Sequence, residues 1–290
     1  MKISVSLYTL EGKDSFKDRQ GALLRIENND KSPGYCDVHP WPELGDKPLN
    51  EQLSLLRQGI KTSLTQCSLK FAEVDSIARA SEKNIFSNLK IPPSHWLVKS
   101  ADEAIPEKFS IIKIKADPSA HLKEWIKTIP LHLKIRIDFN NKHTFETFSR
   151  FINSIREYWD RIDFIEDPFP YDKKQWESMP VPLAGDFQDE RGPIVIAKPA
   201  VDDIGKFTSC KRLVVTSYLD HPLGQLGAAY TAATKMPNKS EVCGLLSHLI
   251  YEKNCFSERL HNNGPDLIIP SEGTGFGFDD LLENLSWKLL

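Results

Sequence analysis

Between Ile111 and Ala200 the chain repeats one local pattern, a strand-length apolar run that ends on charge. "IIKIK" ends on Lys115, "KIRID" on Asp138, "DFIED" on Glu166 and Asp167, "VPLAGD" on Asp186, and "IVIAKP" carries Lys198. Runs of about five residues are the length of short buried strands. Helical patterns separate several of them. In "KHTFETFSRFINSIREYW", Phe145, Phe148, Ile152 and Ile155 fall on one face. Alternation of strand and helix predicts a parallel sheet. About eight such units, from "HWLVK" at 95–99 to a weaker "VCGLLSH" at 242–248, predict closure into an α/β barrel. In such a barrel the charges at the C-terminal strand ends gather on one face, where the active site sits.

The preceding residues follow a different rule. Segments 3–10, 21–27 and 34–38 read as strands, and 49–63 and 68–87 as helices. Pro40, Pro42 and Pro48 make "HPWPELGDKPL" irregular. "IPPS" at 91–94 marks a boundary. The expected organisation is an α+β capping unit over 1–92, completed by about 255–290, and a barrel over 93–254. Expected barrel helices cover 118–129, 142–159, about 171–178, 201–209, and a last one from Pro222, a residue suited to a first helical turn.

Composition narrows the partners. A formal net charge of −3 gives no reason to expect nucleic acid or an anionic membrane. Five cysteines, Cys36, Cys67, Cys210, Cys243 and Cys255, form no CxxC pair, against a disulfide framework or a structural zinc site. They read as inert small core residues. "MKISVSLYTL" has no long apolar stretch of the signal-peptide kind, and no window approaches a membrane span. The expected location is the cytoplasm; oligomeric state is not readable.

Residues i and i+2 of a strand share a face, so Lys113 pairs with Lys115 and Arg136 with Asp138. If the strand ends point into the barrel mouth, Asp138, Glu166 and Asp186 converge from three consecutive strands. Three carboxylates suit Mg²⁺, a hard cation. A lysine near a dication and another cation has a lowered pKa and can act as a base. The implied step is removal of a proton α to a carboxylate of a small-molecule substrate, with the resulting charge held by the metal. Taken singly, each group has a plainer reading: the lysines as solvated strand ends, the carboxylates as caps or ion pairs. Arg136 has the alternative of pairing with Glu166 or Asp138. Thr216, Ser217 and Tyr218 are at least ordinary strand-end polar groups, and His221, after the seventh strand, is the histidine placed to approach the site. "GTGFG" at 273–277 lacks the lysine of a phosphate loop and reads as a tight turn.

The ordered set Lys113-x-Lys115, Asp138, Glu166, Asp186, Lys198 resembles the muconate-lactonizing branch of the enolase superfamily. "IEDPF" at 165–169 and "KPA" at 198–200 are similar to that branch's motifs. More narrowly, "RIDFN" at 136–140, "VVTSYLDHPLGQLGAAYTAA" at 214–233 and "GTGFGFD" at 273–279 resemble the o-succinylbenzoate synthase family of menaquinone biosynthesis; "AEVDSIARA" at 72–80 resembles the helix that closes its cap. The resemblance implies a (β/α)7β barrel, an α+β cap and Mg²⁺, with Mn²⁺ as a substitute. It implies syn dehydration of 2-succinyl-6-hydroxy-2,4-cyclohexadiene-1-carboxylate to 2-succinylbenzoate. Lys115 would be the base and then the proton donor to departing hydroxide. Lys198 would stabilise the enediolate from the opposite face, and Asp138, Glu166 and Asp186 would bind the metal. Lys113 would tune Lys115, Arg136 and Asn140 would lie near the metal, and Thr216–Tyr218 near the succinyl end. Cap loops near Asp14–Gln20 and Trp41–Gly45 would close over the substrate. The same lysine pair would also serve an N-acylamino acid racemase or dipeptide epimerase, and the barrel could carry a non-catalytic binding protein. One departure stands out. "DFQDERG", between Asp186 and Lys198, is too short for the usual helix, so a barrel helix is expected to be missing after strand five. Phe187 replaces the usual acid there, with Asp189 or Glu190 as substitutes.

Overall fold

The computed structural model describes residues 1–290 apart from 29–30, 119–120, 187–191, 208, 237 and 239–240. Strand β1 (Lys2–Leu10) pairs antiparallel with β2 (Arg19–Glu27), and β2 with β3 (Gly34–Val38). The inward residues Leu24, Ile26, Cys36 and Val38 are buried with Leu56 of helix α1 (Leu49–Arg57) and Leu64 and Ala72 of helix α2 (Ser63–Ala80). Both helices are displaced from the expected bounds. Gly59, left-handed at φ 80°, follows the end of α1. A reciprocal cap between Thr62 and Thr65 starts α2 at Ser63. Its end is set from outside: Glu82 turns left-handed (φ 51°), and the Ile85 N–H bonds the carbonyl of Gly275, far along the chain.

The next strands are β4 (Trp96–Val98), β5 (Ile111–Lys115), β6 (Lys134–Asp138), β7 (Ile162–Glu166), β8 (Leu183–Gly185), β9 (Ile194–Ala197) and β10 (Arg212–Val215). They form one parallel seven-stranded sheet in chain order. Helices α3 (His121–Thr128), α4 (Phe145–Ser154) and α5 (Lys173–Glu177) lie in the connections, and α6 (Pro222–Lys235) follows β10. The weak eighth strand is reduced to two bridges. Cys243 pairs with Ser94 before β4, and Gly244 with Thr216 after β10. Both edges of the sheet therefore bond to the same two residues.

Two helix expectations fail. The stretch 142–159 divides into α4 and a 3-10 segment, Arg156–Arg161. The expected helix 201–209 is, among the described residues, a 3-10 turn at Ile204–Phe207; before it, Asp202 folds back to accept the backbone N–H of Lys198 at 2.7 Å. The expected absence of a helix after strand five, and the substitutes Asp189 and Glu190, fall on 187–191, outside the described residues.

The C-terminal part returns to the first sheet. After the hairpin β11 (His261–Asn263) and β12 (Asp266–Ile268) comes helix α7 (Asp279–Glu283), and β13 (Lys288–Leu289) then pairs with β1. The tight turn read at 273–277 is present, with Gly273, Gly275 and Gly277 all at positive φ. Asp75 of α2 accepts the N–H groups of Tyr35 at 2.9 Å and Phe276 at 2.7 Å, and pairs with Arg79 at 2.6 Å. A Cβ on Gly275 would collide with that carboxylate. The cysteines are free; Cys36, Cys67 and Cys243 are buried as expected, Cys210 is half-buried, and Cys255 is exposed rather than in the core.

Candidate active site

The C-terminal ends of the parallel strands open into a cavity of about 660 Å³. Its polar floor includes Lys113, Lys115, Asp138, Asp186 and Lys198, and Leu97, Leu219, Leu246, Leu249 and Ile250 line it with apolar surface. A polar floor under apolar walls suits a small carboxylate with a hydrocarbon body. Trp41, Glu43 and Leu44 of the cap contribute lining, as expected for that loop. The other expected cap loop is absent from the lining; its Asp14 is held by Lys99 at 2.9 Å.

Sheet register sets the floor. Lys115 lies beside Asp138, and Asp138 beside Glu166, whose neighbour Ala184 precedes Asp186 by two residues. The ammonium of Lys113 lies 2.7 and 2.8 Å from the two oxygens of Glu166 and 3.0 Å from Asp138. Asp186 is ion-paired with Lys198. Glu166 is fully buried and is not part of the cavity lining. Asn140, left-handed at φ 47°, donates its N–H to Asp138 Oδ1 at 3.2 Å and lines the cavity.

The charges perturb one another. Burial and the carboxylates of Asp138 and Asp186 raise Glu166 to about 8, with Lys113 opposing. Burial alone would raise Asp138; Lys113 and Lys115 outweigh it and bring its pKa to about 2. For Lys113, burial is outweighed by Asp138 and Glu166, and the ammonium is held protonated. Lys115 is lowered, first by desolvation and then by Lys113 and Lys198, with Asp138 opposing. Its side chain keeps appreciable exposure, because it stands open to the cavity rather than in the core.

Among the described residues, no His, Cys, Asp and Glu side chains are gathered closely enough to hold a metal ion as they stand. The donor set nonetheless fits a hard cation. All three candidate ligands carry carboxylate oxygens, and two of them already share one ammonium, that of Lys113. Burial first, and then Asp138, raise the pKa of Glu166, and a cation among the three carboxylates would favour its ionised form.

Other expected site residues divide. Arg136 takes neither Glu166 nor Asp138 as partner and stays out of the cavity. It is completely buried, bonded to Asp163 at 2.7 Å, the Val242 carbonyl at 2.7 Å, and Glu241 at 3.2 Å. It stacks over Phe164, 4.5 Å from the ring centre. One alternation step below Asp138, its side chain starts too deep in the barrel and finds these acids instead. Thr216, Ser217 and Tyr218 all line the cavity. Ser217 Oγ donates to the Gly244 carbonyl at 3.3 Å and Tyr218 OH to Asp46 at 3.0 Å, whereas Thr216 Oγ1 has no hydrogen-bond partner among the described residues. His221 does not reach the cavity; it caps α6, accepting the N–H of Leu223 at 3.1 Å, and packs on Tyr8 and Phe256.

Sequence reasoning missed two participants. His95 lines the cavity beside the guanidinium of Arg136 at 3.2 Å; burial and that cation lower its pKa. Its signal was its place at the start of the first barrel strand. Asp167, left-handed at φ 40°, accepts the N–H of Asp186 at 3.1 Å and so fixes the third carboxylate. Burial and Asp186 raise its pKa to about 7.

Comparisons with known proteins bear on the family and the fold. Residues 3–78 match the family model "O-succinylbenzoate synthase, N-terminal domain". The chain is 32% identical to the o-succinylbenzoate synthase of Bdellovibrio bacteriovorus, across 100% of this chain and 99% of that one. Among solved structures it resembles the muconate lactonizing enzyme of Pseudomonas putida, with TM-score 0.77 and 14% identity over 99% of this chain and 96% of that one. It also resembles the dipeptide epimerase of Cytophaga hutchinsonii, with TM-score 0.77 and 16% identity over 100% and 99% of the two chains. At such identities the structural likeness speaks for the fold alone.

Proposed function

The chain belongs to the o-succinylbenzoate synthase family, and from that premise we propose how its residues divide the work of the dehydration. The reaction removes a proton from the ring carbon α to the carboxylate and hydroxide from the neighbouring carbon, forming the aromatic 2-succinylbenzoate and water. Lys115, with its lowered pKa, takes the proton and returns it to the departing hydroxide. Lys198 faces the other side of the substrate and holds the developing negative charge as a cation. Lys113 keeps Lys115 basic by like-charge repulsion while neutralising Glu166. Asp138, Glu166 and Asp186 would bind Mg²⁺, which when present supplies a positive charge against which the substrate carboxylate becomes more acidic at its α-carbon. Thr216 shapes the wall of the cavity at the end of β10, its hydroxyl oxygen turned into the protein rather than toward the substrate. Arg136 serves the barrel interior rather than the reaction.

We read the architecture as a (β/α)7β barrel in which residues 243–244 fill the eighth position, with 1–92 and about 255–290 as cap. The pairing of β13 with β1 supports that cap boundary. Free cysteines support a cytoplasmic location, and no described helix is long and apolar enough to cross a membrane.

The observation that carries the reading is the arrival of Lys115 from β5 and Lys198 from the end of β9 in one cavity with Asp138 and Asp186. The test is incubation with the cyclohexadiene substrate and Mg²⁺. The expected result is growth of aromatic absorbance, abolished by EDTA and restored by Mg²⁺ or Mn²⁺. Failure to aromatise, with α-proton exchange on N-succinylamino acids instead, would replace dehydration by racemisation.

A further inference from the structure

A closed ring of hydrogen bonds joins the cap to the end of β10. Trp41 Nε1 donates to the carbonyl of Tyr218 at 2.7 Å. The Tyr218 hydroxyl donates to Asp46 Oδ2 at 3.0 Å. The backbone N–H of Trp41 donates to the same Asp46 oxygen at 2.9 Å. One cap loop thus grips Tyr218 at its backbone and at the far end of its side chain. The loop itself is braced: the guanidinium of Arg19 stacks on Trp41, 3.7 Å from the ring centre, while bonding both oxygens of Glu43 at 2.9 Å. Trp41 meets the Tyr218 ring edge-on at 6.4 Å.

Tyr218 is 5% exposed, and its ring centre lies 6.0 Å from the ammonium of Lys198. That is the outer range for attraction between a cation and an aromatic face. Lys198 thus pairs with Asp186 and has the Tyr218 ring at that outer range, two neighbours with different supports. Asp186 belongs to the barrel, whereas the orientation of the Tyr218 ring is fixed from the cap. A lysine stem has four rotatable bonds, so neighbours of fixed orientation narrow the positions its charge can take.

We propose that Asp46 and Trp41 are positioning residues for the reaction: they clamp Tyr218 at both ends and thereby hold its ring, and with it the Lys198 ammonium, in register with the substrate. The proposal rests on the assignment of Lys198 to the reaction. It changes the role of Tyr218, whose hydroxyl is spent on Asp46 rather than offered to the succinyl group. It also gives the cap a part in the chemistry: a cap that is not docked leaves Tyr218 free to turn.

The experiment is steady-state kinetics on Tyr218→Phe, Asp46→Ala, the double variant and Asp46→Asn, with thermal melting of each. A misplaced group lowers turnover more than binding, so each of the first two should lower kcat on the order of tenfold with KM within about twofold of wild type. Because both remove the same bond, the double variant should lose no more than about twofold beyond the worse single. Asp46→Asn retains an acceptor oxygen and should recover most of the activity. Losses that multiply in the double variant, or a rise in KM at unchanged kcat, would overturn the clamp. If Asp46→Ala does not fold, Tyr218→Phe, which keeps the ring and its packing, carries the kcat-against-KM test alone. Lys198→Ala serves as the control. Full activity in that variant would overturn the assignment beneath the proposal, whereas its inactivity together with multiplying losses would overturn the clamp alone.

Discussion

At the scale of single residues, two lysines two positions apart on β5 differ through their neighbours. Lys113 is saturated by Glu166 and Asp138 and keeps its proton; Lys115, two residues on, is lowered and can give its proton up. Removing the amine of Lys115 should lower kcat by about 10²–10⁴-fold, the range of a lost general base, measured as aromatic product formed by Lys115→Ala. The pH dependence has a definite sign. Only the neutral amine accepts a proton, so kcat/KM should rise with pH as Lys115 deprotonates. Removing the adjacent positive charge in Lys113→Met lets Lys115 hold its proton longer, so the rising limb should move to higher pH. A limb that stays put would take Lys113 out of its tuning role. Asp186→Asn should weaken Mg²⁺ binding in a calorimetric titration; an unchanged titration would show the third ligand to be another residue.

At the scale of elements, the helix α2 shows how a buried acid ties distant segments together. Asp75 satisfies one N–H from β3, one from the glycine turn at 273–277, and the guanidinium of Arg79, which also bonds Asp279 at 2.7 Å. Truncating one partner leaves the others buried without compensation, so Asp75→Ala should cost roughly 3 kcal/mol or more in urea unfolding. A loss below about 1 kcal/mol would mean that water replaces the carboxylate there. The apolar spacing of α2 was legible in sequence, but its bounds were not, because its last turn ends where the Gly275 segment docks. In the same way, 201–209 keeps only a short turn, Ile204–Phe207, among the described residues.

For the whole molecule, the contact between cap and barrel holds two buried acids side by side. Asp37 of β3 and Asp220 after β10 both approach the space that a Cβ on Gly224 would fill, each with an oxygen 2.6 Å from it. Tyr8 donates to Asp37 at 2.6 Å and contacts His39 at 2.9 Å, while the His221 N–H reaches Asp37 at 3.1 Å. Burial lifts Asp37 to about 7, and burial with Asp37 lifts Asp220 as well; burial keeps His39 and His221 neutral, each at about 3. Between an ordinary aspartate pKa of about 4 and the folded value, the native chain retains a proton that the unfolded chain has released. Stability should therefore fall as pH rises from about 4 to about 7 on account of this pair. His39 and His221, neutral in the folded chain, contribute the opposite slope over the same interval, so Asp37→Asn, which keeps the shape and an acceptor, should turn the net slope toward rising stability in urea titrations. An unaltered slope would place the shared proton elsewhere.

The parallel sheet and the charge at its strand ends were determined by the sequence itself, through strand–helix alternation and the two-residue period of strands. That period puts Lys113 with Lys115 and Arg136 with Asp138, and the order of carboxylates follows from strand order. The tertiary structure decided what each charge does. Arg136 shares its face with Asp138, yet its depth in the barrel gives it to Asp163 and Glu241. Lys113 could have been solvated at its strand end, but the curvature of the sheet brings Glu166 and Asp138 to it. The family resemblance set Tyr218 near the substrate; only the docking of the cap, 172 residues away at Asp46, commits its hydroxyl. Periodicity is local and can be read along the chain, whereas the partner of a buried charge depends on which distant segments share its small, water-poor volume.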